Sequence, residues 1–528
     1  MGCKLWYENR ANPVRVQDSK LGGEATEEIE TMAVTEATFA NDARVNQFLS
    51  EPRKMLIDGK WVDAASGKTF PVYDPATGVK IAEVAEGDKE DIDRAVAAAR
   101  RAFESGPWHD MVPAARSHLI WKLADLLEEN AQTFAELETL DNGKALTISG
   151  AVDIPGSVEH FRYMGGWATK IEGRTLKLSS PGFHAYTLRE PVGVVGQIIP
   201  WNFPLFMAAW KLAPALTCGC TVVLKPAEQT PLTALLLGEL IIEAGFPDGV
   251  VNVVPGYGET AGAALAAHPG VDKIAFTGST EVGRLIMKAA SGNLKKVSLE
   301  LGGKSPNIVF ADADLEAATA GAAMGIFFNQ GQVCCAGSRL YVEKPVFDQV
   351  IEGLAKAAES MKIAPGMDPS CEMGPLVSDE QLERVTSMVE AGKKEGATAI
   401  VGGEPVGGDG YFYKPTILTN VKQSMSVVRD EIFGPVVTAI AFDDPNEIVE
   451  LANDTNYGLA AGIWTSDVTK AHATAAAIKA GTVWVNCYNV FDAAMPFGGY
   501  KESGIGREMG SDVLDLYTET KSVCIAIG

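Results

Sequence analysis

The sequence predicts an α/β protein built on parallel sheets. Two stretches carry that expectation. From Gly193 onward short strand-like runs alternate with helical ones, and a second alternation begins near Ser305 and continues to about Val485. Strands separated by helices pair in parallel and are covered on both faces. Size agrees: 528 residues, 46% hydrophobic and 21% charged, suffice for roughly two or three domains with their own cores.

Residues 54–77 read as short strands and turns, with Ile57-Asp58-Gly59-Lys60-Trp61 as a hairpin. Amphipathic patterns predict helices over 88–104 and 113–140. The first alternation then predicts strands at 194–199, 221–224, 250–254 and 273–276, with helices at 205–216, 232–244, 260–267 and 282–290 between and after them. Residues 174–189 and the tail 513–527 read as extended. Residues 1–40 form an N-terminal extension, expected to be disordered. It has no apolar signal region, and Trp6 stands where a myristoylation signal needs Ser or Thr; Met32 would serve as an alternative start.

The formal charge of −23 argues against nucleic acid or an anionic membrane surface as partner, since both need a positive field. Eight cysteines in so long a chain point to reduced thiols and the cytoplasm rather than a disulfide framework. Neither Cys334-Cys335 nor Cys218-Gly219-Cys220 has zinc-like spacing, so no metal is expected. The longest charge-free apolar stretch, 192–210, is broken by Pro200, Asn202 and Pro204, which suits strand, turn and buried helix better than a membrane span.

The densest chemical signal is Phe327-Phe328-Asn329-Gln330-Gly331-Gln332-Val333-Cys334-Cys335-Ala336-Gly337-Ser338-Arg339, a polar break between a helical run and a strand-like one. A thiol at such a boundary is reachable, and surrounding backbone N–H groups are expected to lower its pKa. A lone loop cysteine is more often a small hydrophobe. Glu300 lies between Leu299 and Leu301 in an apolar strand pattern, where burial would raise its pKa toward that of a general base; an exposed strand face is the alternative. Asn202, in the first strand-to-helix turn, has an amide able to meet an oxyanion, or is a plain turn residue. Phe276-Thr277-Gly278-Ser279-Thr280-Glu281-Val282-Gly283 opens a helix after a strand, which suits a pyrophosphate or a simple N-cap. Lys225 and Glu228 close a strand where ribose hydroxyls would bind, or form a solvated pair. Gly256-Tyr257-Gly258-Glu259-Thr260-Ala261 mimics a dinucleotide fingerprint but is as well explained by a turn. Gly302-Gly303-Lys304-Ser305 lacks the first glycine of a phosphate loop, since Ser298 stands there.

Taken with Leu299-Glu300-Leu301-Gly302-Gly303-Lys304-Ser305-Pro306 and Pro200-Trp201-Asn202-Phe203-Pro204, the cysteine segment resembles the signature set of the NAD(P)-dependent aldehyde dehydrogenase superfamily, and the resemblance spans about Met55 to the C-terminus. It implies an α/β fold with an NAD-binding domain (41–170 and 192–302), a catalytic domain (303–505) and a small β oligomerisation element (172–190 and 511–528). Cys334 is then the nucleophile, with Cys335 its competitor. Asn202 and the Cys334 N–H form the oxyanion hole, and Glu300 activates the deacylating water. Lys211 and Glu508 match a proton relay, for which an ion pair is an equal account.

The resemblance places NAD along Ile199, Trp201, Lys225, Glu228, Gly278, Ser279, Val282, Gly283, Leu301, Glu431 and Phe433, with Glu228 repelling a 2′-phosphate. Phe203, Phe206, Trp210, Phe328, Phe491 and Phe497 match the substrate tunnel, unless they are core; no Arg or Lys occurs among them to anchor a carboxylate. Asp492 would stand at the mouth, and Gly156 would leave room for a ring. Within the family the chain most resembles the bacterial phenylacetaldehyde dehydrogenases, which implies an aldehyde partner oxidised to the acid through a thiohemiacetal and a thioester. A homo-oligomer, a tetramer built from dimers, is implied through the tail. Two alternatives stand: a CoA-acylating semialdehyde dehydrogenase, with no need of Glu300 as hydrolytic base, and a non-enzymatic relative, expected to lack Cys334, Glu300 or Asn202.

Overall fold

The structure is a computed structural model that describes residues 39–444 and 447–527. Most of the N-terminal extension lies outside the described residues. Two large sheets carry the molecule. In the first, five strands run parallel in the order Lys296–Glu300, Lys273–Thr277, Val194–Ile198, Thr221–Lys225 and Val251–Val253. Every residue of Val194–Ile198 and Thr221–Lys225 is buried, as helices on both faces require. The hairpin Met55–Ile57/Lys60–Val62 extends one edge, and Gly504–Ile505 closes the other beside Glu300. Asp58 (φ 55°) and Gly59 (φ 70°) make the two-residue turn with the left-handed pair that strand twist favours.

The second sheet orders Thr416–Thr419, Val436–Phe442, Arg339–Glu343, Pro306–Val309, Ala460–Trp464 and Thr482–Val485 in parallel, with Thr398–Val401 antiparallel at one edge. Phe183–Pro191 pairs with Thr518–Ala526 over its whole length and with Thr175–Leu176, forming a separate three-stranded sheet. Residues 175–191 and 518–526 meet there.

Three expectations needed correction. The helix expected over 113–140 is two helices, Pro113–Glu129 and Ala131–Asn142, broken at Asn130. Asn130 Nδ2 donates to the Leu126 carbonyl at 2.7 Å, the local bonding by which Asn competes with helical continuation. The segment expected as a helix from 260 starts with a π-type turn, Gly258–Gly262, before Ala263–Ala267. The tail begins with a short 3₁₀ turn, Asp512–Leu516, and only then becomes strand.

Candidate active site

Strand register lines up the carboxyl edge of the first sheet. Ile198 is paired with Lys225 on one side and with Phe276 on the other, and Thr277 is paired with Glu300. Lys225, Ile199, Gly278 and Glu300 therefore stand in a row. The next two strands in the chain, Thr221–Lys225 and Val251–Val253, lie on one side of Val194–Ile198 and Lys273–Thr277 lies on the other, so Ile199 to Asn202 leave the sheet where its order reverses. Crevices of open α/β sheets form at such a point.

The thiol reaches this edge from the second sheet. Its loop depends on three consecutive left-handed residues: Asn329 (φ 48°), Gln330 (φ 58°) and Gly331 (φ 70°). Side-chain bonds hold the two non-glycine members there. Asn329 Nδ2 donates to the Asn202 carbonyl at 2.9 Å, and Gln330 Nε2 to the Pro375 carbonyl at 2.8 Å. Gln332 Oε1 accepts from the Val377 N–H at 3.0 Å. Asn202 Nδ2 gives one hydrogen to the Gln332 carbonyl at 2.9 Å and keeps its other. The Cys334 N–H meets no acceptor of the chain among the described residues. Cys334 is half-buried; Cys335 is 1% exposed and its sulfur faces Asn489 Oδ1 at 3.7 Å.

The expected lowering of the Cys334 pKa is not what the structure shows. A hydrogen bond to the Cys335 side chain, then burial, then the charges of Cys335 and Glu431 hold this thiol well above the ordinary range. The neighbouring sulfur and carboxylate outweigh the one backbone N–H, that of Cys335, that favours the thiolate.

Glu300 ends the strand Lys296–Glu300 and is 4% exposed; neither carboxylate oxygen has a hydrogen-bond partner. Burial first, then the charges of Glu508 and Cys334, push its pKa well up, against the pull of Lys211. Its environment is tight: a Cβ on Gly498 would lie 2.6 Å from Oε1. Lys211 Nζ and Glu508 Oε1 pair at 2.9 Å with both side chains buried, and Glu508 Oε2 is unpartnered. Buried carboxylate oxygens without donors are costly, and they mark groups kept for chemistry rather than for packing.

Lys225 and Glu228 pair at 2.9 Å. Ser279 caps the helix Thr280–Ala290 by accepting from the Val282 N–H at 3.2 Å, so its hydroxyl has the N-cap role, and the helix start still faces the crevice edge. Gly278 N–H donates to the Glu300 carbonyl at 3.0 Å, and Gly283 gives way to Leu301, whose Cδ2 would lie 2.7 Å from a Cβ there. Glu431 Oε1 accepts from the Gly303 N–H at 2.9 Å, burial raising its pKa to about 7. Phe433 (φ 60°) meets Trp201 edge-on at 5.2 Å. The mimic at Gly256 is a packing turn, since a Cβ there would lie 2.4 Å from the Gly87 carbonyl oxygen. Lys304 is buried and donates to the Val427 carbonyl at 2.8 Å.

A half-buried thiol, a free amide hydrogen one loop away and an unpartnered buried carboxylate are the parts of acyl chemistry at sulfur. Comparison with known proteins agrees. The aldehyde dehydrogenase family profile matches residues 61–523. The chain belongs to the aldehyde dehydrogenase family. It is 56% identical over 482 residues to DhaS of Bacillus subtilis (strain 168), covering 91% of this chain and 97% of that one. Against aldehyde dehydrogenase 1A1 of Gallus gallus it is 51% identical over 498 residues, covering 92% and 98%. The structure superposes on the NAD+ complex of an aldehyde dehydrogenase from Bacillus cereus with a TM-score of 0.92 at 54% identity, covering 93% and 100%. A betaine aldehyde dehydrogenase from Staphylococcus aureus in complex with NAD+ gives 0.89 at 42%, covering 90% and 98%.

In this aldehyde dehydrogenase the six aromatics fall into two groups. Phe206, Trp210, Phe497 and Phe491 join at centroid distances of 5.3, 5.5 and 5.5 Å, while Phe203 and Phe328 stack as a pair at 6.2 Å. Phe206, Trp210 and Phe497 are buried; Phe203, Phe328 and Phe491 keep exposed surface. The room expected beside Gly156 is taken: a Cβ there would lie 2.9 Å from Phe206 Cζ. Asp492 is exposed and accepts from the Ala494 N–H at 2.8 Å. Sequence reasoning missed a cation beside this wall, Lys144, whose Nζ lies 4.4 Å from the Phe203 ring centroid. It also missed the role of Asn329 and Gln330, which a glycine-flanked polar run hints at but cannot specify.

Proposed function

We propose that this chain oxidises an apolar aldehyde, arylacetaldehydes foremost, to the carboxylic acid with NAD. The observation that carries the chemistry is Glu300, buried with both oxygens unpartnered and sensing the charge of Cys334. A CoA-acylating enzyme would have no use for such a base. The residues present fit a dinucleotide at the row of strand ends: a helix start for the pyrophosphate, carboxylates at Glu228 and Glu431 for ribose hydroxyls, and Phe433 with Trp201 beside the nicotinamide. Lys225 pairs with Glu228, and the carboxylate disfavours a 2′-phosphate. NAD, when bound there, supplies the acceptor for the hydride of the substrate carbon.

The chain's own residues do the rest. The Cys334 thiol is held up and half-buried, so its thiolate arises by loss of the proton to solvent water as the aldehyde binds. The sulfur adds to the carbonyl carbon, and the oxygen that gains charge meets the free Asn202 Nδ2 hydrogen and the Cys334 N–H. Once the carbon is at the acid level, the thioester on Cys334 is opened by water whose proton Glu300 takes, and the thiolate leaves. Lys211 with Glu508 lies within electrostatic reach of Glu300 to carry that proton on. We assign the domains 41–170 with 192–302, 303–505, and 172–190 with 511–528 to the first, second and three-stranded sheets respectively, with Gly504–Ile505 crossing to the edge of the first.

Substrate choice rests on the wall, since relatives at comparable identity are named for different aldehydes: retinal dehydrogenase 2 of Homo sapiens at 50%, and the betaine aldehyde enzyme at 42%. Phe203, Phe328 and Phe491 offer a ring surface, and burying a phenyl group against them gains about 2 kcal/mol. With Gly156 filled by Phe206, these three rings support an apolar aldehyde, and the choice of phenylacetaldehyde among apolar aldehydes rests on the sequence resemblance alone. The test is NADH formation with and without CoA across phenylacetaldehyde, hexanal, betaine aldehyde and succinate semialdehyde, with NADP as the second cofactor. Phenylacetaldehyde should give the highest kcat/KM, with NAD and without CoA. Dependence on CoA would reject the hydrolytic route, and a win for succinate semialdehyde would reject the apolar wall.

A further inference from the structure

The helix Ala131–Asn142 ends in Glu138-Thr139-Leu140-Asp141-Asn142 and turns through Gly143 (φ 90°) into Lys144. In the structure Glu138, Asp141, Asn142, Lys144 and Asp153 are all 0% exposed. The turn is sealed by backbone: a Cβ on Gly374 would lie 2.0 Å from the Gly143 carbonyl oxygen, and one on Gly366 2.3 Å from that of Lys144.

Lys144 Nζ pairs with Asp153 and, at 3.3 Å, with Glu138. Its remaining bond, at 3.0 Å, goes to the carbonyl of Asn202. Glu138 Oε2 in turn accepts from the Leu205 N–H at 3.1 Å. The helix Pro204–Cys218 starts at Phe203, which has no side chain able to cap it, so Glu138 does so from another helix. Asn142 Nδ2 donates to the Trp201 carbonyl at 2.7 Å. One buried polar cluster thus holds the peptides of Trp201, Asn202 and Leu205. The Asn202 carbonyl also receives Asn329 Nδ2, tying the same point to the thiol loop. Burial pushes the Glu138 carboxyl up, against the pull of Lys144. Such a cluster is expensive to bury, and apolar residues of the same volume would hold two helices together at lower cost.

We propose that Lys144, set between Glu138 and Asp153, is a positioning residue that fixes the Asn202 backbone so that its side-chain amide faces the oxygen of the reacting carbonyl. This rests on the reading of Asn202 as an oxyanion donor, and it adds a role for residues away from the reacting atoms. Lys144 touches neither substrate nor cofactor; it acts through one carbonyl.

The test is a double-mutant cycle on the full-length enzyme with saturating NAD and phenylacetaldehyde, folding being checked by circular dichroism. Lys144→Met should lower kcat on the order of 10–100-fold, the scale of a small misplacement of a catalytic group, with KM for NAD little changed. In the Asn202→Ala background the same substitution should change kcat by less than about twofold, because the group it positions is gone. Equal losses in both backgrounds would make Lys144 a fold-supporting residue and overturn the proposal while leaving the oxyanion reading intact. An Asn202→Ala enzyme with unchanged kcat would remove that reading and the proposal with it. If Lys144→Met does not accumulate folded, Asp153→Asn is carried through the same cycle with the same criteria.

Discussion

Cys334 and Cys335 are adjacent in the chain and opposite in setting, the first half-buried at the crevice and the second in the core against Asn489. Cys334→Ala should abolish NADH formation, while Cys335→Ala should fold and keep most activity. Removing Cys335 also removes the hydrogen bond that heads the causes raising the Cys334 pKa, so the thiol of that variant should react with iodoacetamide at lower pH than wild type. A dead Cys335→Ala beside an active Cys334→Ala would reverse the assignment. Glu300 gives the pH dependence. Its carboxylate is the working form and its pKa is raised, so kcat should rise with pH along a limb lying above the ordinary carboxylate value of about 4.3. Glu300→Gln should turn over severely more slowly, keep a first-turnover burst of NADH, and lose that limb. A Gln variant with the same limb would take Glu300 out of the mechanism.

Individual elements hold strain and buried charge that packing has to sustain. Gly331 sits at φ 70°, and a Cβ there would lie 2.0 Å from the Gly434 carbonyl oxygen. Gly331→Ala must therefore move backbone, costing on the order of 2–3 kcal/mol and displacing Cys334. We expect a lowered Tm together with a loss of kcat well beyond that of Gly67→Ala, a control at positive φ with open space around it. Equal effects would mean the thiol loop tolerates the shift. In the helix Ile154–Gly165, burial lowers the pKa of His160 from 6.5 to about 3. The unfolded chain takes up this proton near pH 6.5 and the folded chain does not, so the contribution is fully present above pH 6.5 and is lost as pH falls toward 3. Tm should thus drop less for His160→Leu than for wild type between pH 7 and pH 4.5. Parallel curves would place the ring in a wetter site.

At the scale of the whole molecule, the three-stranded sheet leaves the nine-residue strand Thr518–Ala526 at an edge, with most of its residues exposed. A long uncovered edge is a template for pairing with another chain. Light scattering should give a homo-oligomer, with a tetramer expected, and truncation after Tyr517 should reduce the assembly. A monomer at micromolar concentration would contradict this reading. Among the described residues no helix is long and apolar enough to cross a membrane, and no three His, Cys, Asp or Glu side chains group as metal ligands.

Local pattern alone located much of the fold. The helix Leu232–Ala244 has the bounds its apolar run predicts, and the parallel strands differ from expectation by a residue or so. Apolar runs bounded by Gly and Pro are local signals, and alternation leaves few topologies open. Asn130 and Gly258 defeated the helix boundaries because a side-chain bond or a turn type overrides periodicity. At the site, the segments around Asn202, Glu300 and Cys334 stood out by composition, but their electrostatics did not. The Cys334 pKa is raised by its chain neighbour Cys335 and by burial and the Glu431 carboxylate, and only tertiary packing supplies the last two. Lys144 and Glu138 were invisible for the same reason: a charged residue is read as solvated until a neighbouring strand, turn and thiol loop close over it. Pattern determined which elements exist. Burial, which depends on every other element at once, decided which polar groups became chemistry.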